Sequence, residues 1–154
     1  MNSSELKLLS RQELIGTQYI ELAVDNGKQW RSDSVYVRDA LFAGLFNPEF
    51  EKANSEFSFF GSAEFDVVQL EELIRYLQTN KLRLEMIETY PEFIRFFDRP
   101  GVVYKMEPVL LGEFPQLKDT WPEILQKFTT VTSETINFVD TARMDGKNLW
   151  VYGL

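Results

Sequence analysis

At 154 residues, 44% of them hydrophobic and 14% aromatic, the chain predicts one globular domain spanning residues 1–154. It contains no cysteine and no histidine, which excludes a disulfide framework, a thiolate nucleophile, imidazole metal ligands and histidine-dependent nucleophile pairs. The formal net charge of -8 at pH 7 disfavours binding to nucleic acid or to anionic membrane surfaces and favours a basic partner.

The N-terminal region predicts short helical segments followed by a hairpin. Helically spaced leucines and a capping-box pattern predict one or two short helices within residues 1–16. Apolar alternation over residues 18–24 predicts a strand, and residues 25–28 after it form a turn-prone sequence. The second strand would then occupy residues 29–32, with Trp30 as its main apolar side chain.

The next region predicts a buried helix, a connector and a short strand. Residues 35–46 carry an apolar helical face with few charges, although the opening Val-Tyr-Val is also compatible with a strand. The Asn47-Pro48 pair is expected to end this helix, and the polar residues 49–55 are expected to form a connector. The aromatic run 57–60, which ends at Gly61, predicts a strand.

The clearest helix of the chain is predicted to begin after Asp66. The carboxylate of Asp66 can accept hydrogen bonds from the free backbone amides of a first helical turn, and Gln69 three residues later approximates a capping box. The apolar residues from Leu70 to Leu77 follow the spacing of one helical face. The Thr79-Asn80 pair is expected to end the helix.

The following region alternates between extended and helical patterns. Residues 81–87 alternate apolar and charged side chains, which predicts a strand with one solvated face. Pro91 can occupy the first turn of a short helix that runs through Phe97. Residues 102–105 predict another strand.

The C-terminal region predicts a helix and a terminal hairpin. Apolar residues at helical spacing over 121–128 predict the helix, with Pro122 in its first turn. Asp145-Gly146 is a strong two-residue turn signal, so residues 136–143 and 148–152 are expected to form the two strands of the hairpin. A helix over residues 136–143 is the alternative, because the preceding segment offers a second helix start.

Together these elements predict an α+β fold. Hairpins and helices follow one another without the regular alternation of strand and helix that builds parallel sheets. The sequence therefore predicts a single domain with a mainly antiparallel sheet and several short helices packed against it.

The sequence carries few groups suited to catalysis. No glycine-rich phosphate-binding fingerprint occurs, and neither a cofactor nor a metal site is predicted. Carboxylates remain as candidate catalysts or magnesium ligands, and Glu64, Asp66 and Glu71 are the closest set. A helix cap at Asp66 and a solvated helix face at Glu71 and Glu72 explain these residues more simply. The chain is therefore expected not to be an enzyme.

The segment 49–72 combines acidic and aromatic residues. It contains seven acidic residues, one basic residue and five phenylalanines. The phenylalanines are expected to lie mainly in the core. The acids as a group predict a partner-binding surface, and the candidate residues are Glu56, Glu64, Asp66, Glu71 and Glu72.

These observations predict a non-enzymatic acidic binding protein, an immunity or inhibitor protein that neutralises a basic partner such as a bacterial nuclease toxin. One alternative is a carboxylate-dependent hydrolase that uses Glu64 or Asp66. The other is a structural adaptor domain that presents Trp150 and Tyr152 on an edge strand. The N-terminus has neither the basic nor the apolar region of a secretory signal, so a cytoplasmic location is expected.

Overall fold

A computed structural model describes residues 1–24 and 33–154. The turn predicted at residues 25–28 lies outside the described residues. The strand predicted at residues 29–32, which includes Trp30, also lies outside the described residues.

The described residues contain the strands β1 (Tyr19–Val24), β2 (Val35–Arg38), β3 (Ser62–Phe65) and β4 (Leu149–Tyr152). They form a four-stranded antiparallel sheet in the order β2-β1-β4-β3. Leu22 faces Val35 on one side and Val151 on the other, and Ala63 also faces Val151. Strand β4 therefore lies inside the sheet, between β1 and β3.

Of the residues that the structure describes, 55% are helical and 13% lie in strands. The α-helices are α1 (Asp39–Leu45), α2 (Asn47–Ala53), α3 (Val67–Glu85), α4 (Tyr90–Arg95), α5 (Met106–Glu113) and α6 (Leu117–Met144). Two of them are long, since α3 has 19 residues and α6 has 28, whereas the others have six to eight. The predicted α+β class with an antiparallel sheet and packed helices is confirmed.

The main core forms where α3 packs against α6 beside the apolar face of the sheet. Helix α3 buries Leu70, Leu73 and Leu77 along one stripe, as its sequence predicts. Helix α6 buries Phe128 and Val131. Full burial of a side chain of this kind contributes about 1.5–3 kcal/mol, so the α3–α6 contact is a large part of what stabilises the fold.

An aromatic cluster from α1, α2 and β3 extends this core. The ring centroids of Phe42 and Phe50 lie 4.8 Å apart, and those of Phe50 and Phe65 lie 5.7 Å apart in an edge-to-face arrangement. Phe57 and Phe59 are buried in the same cluster. Four of the five phenylalanines in the segment 49–72 are therefore core residues, as expected.

Several local predictions are confirmed at the level of single residues. Asp66 Oδ1 accepts a hydrogen bond from the backbone amide of Gln69 at 2.9 Å, and Gln69 Oε1 accepts one from the amide of Asp66 at 2.9 Å. This capping box begins α3 where the sequence predicts it. Two 3₁₀-helices, Ser3–Glu5 and Arg11–Glu13, occupy the N-terminal region. At Val35 the strand alternative holds, because β2 precedes α1.

The predicted helix end at Thr79-Asn80 and the predicted strand at 81–87 are wrong. Helix α3 continues to Glu85, because no proline or glycine interrupts it and Leu84 extends its buried stripe. The other two residues of the apolar alternation, Leu82 and Met86, are 62% and 75% exposed. The alternation therefore does not correspond to a buried face of a strand.

The predicted terminal hairpin is also wrong, because α6 includes residues 136–143. Asp145-Gly146 ends this helix instead of forming a two-residue strand turn. The amide of Lys147 donates to the carbonyl of Ala142 at 2.9 Å, and the amide of Gly146 donates to that of Arg143 at 3.0 Å. This Schellman motif needs a left-handed residue, which Gly146 supplies with φ of 68°. The strand at 148–152 is present as β4.

The β-branched residues around position 130 are helical, and the hydroxyl groups of the buried threonines find partners inside α6. Thr132 donates to the carbonyl of Phe128 at 2.7 Å, and Thr135 donates to that of Val131 at 2.8 Å. Both threonines are buried. The back-bonds satisfy these buried hydroxyl groups, and packing on α3 outweighs the local preference for an extended chain.

Residues 47–60 also differ from the prediction. Helix α1 ends at Leu45, directly before the Asn47-Pro48 pair, as expected, but the same pair also begins α2, since proline is tolerated in a first helical turn. Most of the predicted connector 49–55 is therefore helical. Residues 57 and 58 of the aromatic run have no regular structure and residues 59 and 60 form a turn, so the strand starts five residues later than expected, at Ser62.

Two further strand expectations are not met. Residues 102–105 form part of the connection between α4 and α5 and have no strand pairing. Trp150 and Tyr152 belong to an internal strand, not to an edge, and Tyr152 is buried. The edge-strand feature expected of an adaptor domain is therefore not present in these residues.

The capping box gives a direct test of the start of α3. Replacement of Asp66 by Ala removes the acceptor for the Gln69 amide and is expected to lower the free energy of unfolding by about 1 kcal/mol. Asp66→Asn keeps a capping side chain and is the matched control, with little loss expected. Urea unfolding of both variants measures the difference. Equal losses for Ala and Asn would show that the negative charge, and not the cap, is what matters.

Candidate binding surfaces

The structure brings three of the predicted site residues into one polar depression of about 300 Å³, the acidic depression. Its carboxylates are Glu56 from the turn after α2, Glu64 from β3 and Asp66 at the start of α3. Its remaining lining residues, Asn54, Ser55 and Gln69, are also polar. Glu56 and Asp66, which are ten positions apart in sequence, therefore share one concave surface.

The buried side chain of Asn54 holds this depression in shape. Its Nδ2 donates to the backbone carbonyl of Glu64 at 2.9 Å, and its Oδ1 accepts from the backbone amide of Glu56 at 2.9 Å. One amide group thus connects the turn after α2 to β3. The relative positions of Glu56 and Glu64 are therefore set by hydrogen bonds between the Asn54 side chain and their backbones, not by their own flexible side chains.

Two of the three carboxylates have partners within the protein. Glu64 Oε2 accepts from Asn148 Nδ2 at 3.2 Å, and Asp66 forms the cap of α3. Glu56 is exposed. Among the described residues, no group of three or more acidic side chains is placed to hold a metal ion.

Glu71 and Glu72 lie beyond the depression on the next turn of α3. Glu72 is three residues after Gln69, a spacing that places both on the same side of a helix. Its carboxylate lies 4.0 Å from Arg75, and Glu71 is exposed. We call the five residues together the acidic surface: Glu56, Glu64, Asp66, Glu71 and Glu72.

One aromatic residue of the same segment remains available for contacts. Phe60 is 67% exposed, and its ring meets the buried ring of Phe59 edge-on at 5.0 Å. The other phenylalanines of residues 49–72 are buried. Phe60 therefore differs from them in having an apolar ring exposed to solvent next to β3.

A second concave region, the basic cleft, has the opposite charge. It lies between α2, α3 and the segment after α4 and has a volume of about 800 Å³. Its charged lining residues are Glu49, Lys52, Arg75, Arg83 and Arg99. Four cations and one carboxylate thus surround a cleft in a chain of net charge -8.

A buried ion pair lies at the inner end of the basic cleft. Arg99 Nη2 and Glu49 Oε1 are 2.9 Å apart, and the two side chains are 12% and 8% exposed. Asn80 Nδ2 donates a further hydrogen bond to Glu49. Burial raises the pKa of the Glu49 carboxyl group, and the charge of Arg99 opposes that effect.

Arg99 also binds the backbone of two other segments. Its guanidinium donates to the carbonyl of Phe96 at 2.9 Å and to that of Leu45, at the end of α1, at 3.3 Å. Its central carbon lies 4.2 Å from the centre of the Phe96 ring. Burial lowers the pKa of Arg99, and Glu49 opposes that effect.

Sequence reasoning did not identify this ion pair. Residues 49–55 were expected to be a connector, which placed Glu49 among solvated acids, and Arg99 falls in a turn-like sequence. The available signal was local: Pro48 suits the first turn of a helix, and a helix over 47–53 turns Glu49 and Phe50 inward. The partnership itself spans 50 positions and has no local pattern.

The chain matches no protein-family model, no curated protein and no solved structure. Within residues 1–24 and 33–154, no helix has both the length and the apolar character needed to cross a membrane.

Loss of Arg99 is expected to be strongly destabilising. Replacement by Met leaves the Glu49 carboxylate buried without its counter-charge, which costs about 3–5 kcal/mol. Arg75→Met is the matched control, because the side chain of Arg75 is 69% exposed and its loss is expected to cost no more than about 0.5 kcal/mol. Denaturant unfolding measures both values. Similar small losses would contradict the assigned role of the buried pair.

The same replacement should make stability depend on pH. The pKa of Glu49 is raised by burial, and removal of Arg99 removes the nearest charge that lowers it. Below its unfolded-state pKa, the carboxyl group is protonated in both the folded and the unfolded protein, so its raised folded-state pKa costs no stability. As the pH rises towards the folded-state pKa, the group ionises more readily in the unfolded protein, and the loss of stability grows. The stability lost through Arg99→Met is therefore expected to be smaller near about pH 4 than near about pH 7. An equal or larger loss at the acidic pH would contradict this explanation.

Proposed function

We propose that this chain is a non-enzymatic binding protein of the immunity or inhibitor type, which neutralises a basic protein such as a bacterial nuclease toxin. The observation that carries the proposal is the acidic surface. Glu56, Glu64 and Asp66 line one depression, and Glu71 and Glu72 continue from it along α3. Surfaces of one charge increase the rate at which oppositely charged proteins meet and favour one binding orientation.

The construction of this surface suits recognition of another protein. Hydrogen bonds of Asn54 and the cap at Asp66 hold the backbone of the depression before any partner arrives, so little ordering is needed on binding. Exposed Phe60 offers an aromatic ring of the kind that anchors protein interfaces once charges have aligned them. The charge would then determine how fast the partner binds, and the ring would slow its release.

The geometry favours binding over hydrolysis. A hydrolase that uses Glu64 or Asp66 needs at least one of these groups free to exchange protons with a substrate. Asp66 instead caps α3, and Glu64 accepts a hydrogen bond from Asn148. We further propose that the protein acts in the bacterial cytoplasm, and that its activity requires no cofactor, nucleic acid or membrane.

The test starts from affinity capture of the partner and continues with the purified pair. Charge reversal at Glu56, Glu71 and Glu72 is expected to lower the association rate by roughly tenfold or more, and the wild-type rate should fall as salt is added. Glu64 and Asp66 stay unchanged in this variant because they form hydrogen bonds in the fold. Stopped-flow or surface-based kinetics measures the rates.

The matched control reverses three exposed acids elsewhere on the chain, Glu88, Asp119 and Glu123. It changes the net charge equally and should leave most of the association rate intact. If both triple variants slow association equally, net charge and not the acidic surface is responsible. For the immunity role, co-expression of the wild type should protect cells from the captured partner. Lack of protection would contradict it.

A further inference from the structure

The basic cleft has more positive charge than the fold requires. The carboxylate of Glu49 is occupied by Arg99 and Asn80. Among the described residues, neither Lys52 nor Arg83 forms an ion pair. Two of the four cations of the cleft therefore have no ion-pair partner among the described residues, and a bound anion would supply the counter-charge.

The cations line two walls of the cleft. Arg75, Thr79 and Arg83 follow one another at intervals of four residues, which aligns them along one side of α3. The two arginines are separated along the helix axis by about 12 Å, given the rise of an α-helix. Lys52 lies on the side of the cleft formed by α2, and its ammonium group is 4.3 Å from the centre of the Tyr76 ring.

The inner end of the cleft is rigid because of the buried ion pair. Glu49 belongs to α2, Asn80 to α3 and Arg99 to the segment after α4, so their mutual bonds hold these three parts together. A smaller depression of about 300 Å³ shares Arg83 and Arg99 with the cleft and adds Arg95 together with the carboxylate of Glu92. Its lining is therefore of mixed charge, and the unbalanced positive charge is confined to the cleft.

We infer that the basic cleft binds a small anion whose charge lies on phosphate or carboxylate oxygens. Guanidinium groups bind such oxygens through paired hydrogen bonds, and a volume of about 800 Å³ is within the range of small-molecule sites. A nucleic acid would need a continuous basic surface, which a chain of net charge -8 does not favour. The inference does not depend on the acidic surface.

The test uses pyrophosphate and citrate as probes at constant ionic strength, with isothermal titration calorimetry on the full chain. Saturable binding of at least one probe to the wild type is expected. Arg75→Gln combined with Arg83→Gln should weaken that binding by roughly tenfold or more, because each change removes charge-assisted hydrogen bonds. The stronger of the two probes identifies phosphate or carboxylate as the preferred group.

Lys118→Gln combined with Lys127→Gln is the control, since both lysines are exposed and neither lines the cleft. It alters the net charge by the same amount and should leave the affinity unchanged. The inference is overturned if neither probe binds saturably, or if the control weakens binding as much as the cleft variant. Amide shift changes on titration that centre away from residues 75–83 would overturn it as well. Circular dichroism confirms that each variant is folded.

Discussion

The ion pair between Glu49 and Arg99 is the constraint on which the arrangement around the basic cleft depends. A carboxylate removed from water must be matched by a charge and by hydrogen bonds, or the fold loses several kcal/mol, about 3–5 when one partner is missing. Here the charge comes from Arg99 and a hydrogen bond comes from Asn80. Because the three residues are far apart in sequence, satisfying one carboxylate requires α2, α3 and the segment after α4 to adopt a single relative arrangement.

Helix α3 links this constraint to both candidate surfaces. Its N-terminal part carries the acids Asp66, Glu71 and Glu72, and its later turns carry Arg75 and Arg83. Only the two ends follow the helix dipole, because Asp66 caps the N-terminus and Arg83 lies in the last turn, whereas the other charges lie further inside the helix. One helix thus contributes to an acidic surface at one end and to a basic cleft further along, while its apolar stripe packs on α6.

The predictions that succeeded depend on interactions within a few residues. The capping box joins Asp66 to Gln69, three positions later, and the apolar stripe that begins at Leu70 repeats every three or four residues. The predictions that failed depend on contacts distant in sequence. Residues 81–87 alternate like a strand, yet residues 81–85 are helical because Leu84 extends the buried stripe of α3.

The same distinction separates the two candidate surfaces. The acidic surface was predictable because its acids are concentrated within residues 49–72, although only the fold brought Glu56 and Glu64 to one depression beside Asp66. The basic cleft was not predictable. Its cations come from α2, α3 and the segment after α4, and no local pattern relates Lys52 or Arg99 to the two arginines of α3.

By itself, the sequence determined the α+β class, the start of α3, the burial of most phenylalanines and the absence of histidine and cysteine chemistry. Composition, caps and short-range periodicity are local properties, so they can be read directly from the order of residues. Only the tertiary structure decided the length of α6, the internal position of β4 and the partnership of Glu49 with Arg99. These features arise from burial against distant segments, and the free energy of that burial outweighs local preferences of a few tenths of a kcal/mol, roughly, for each residue.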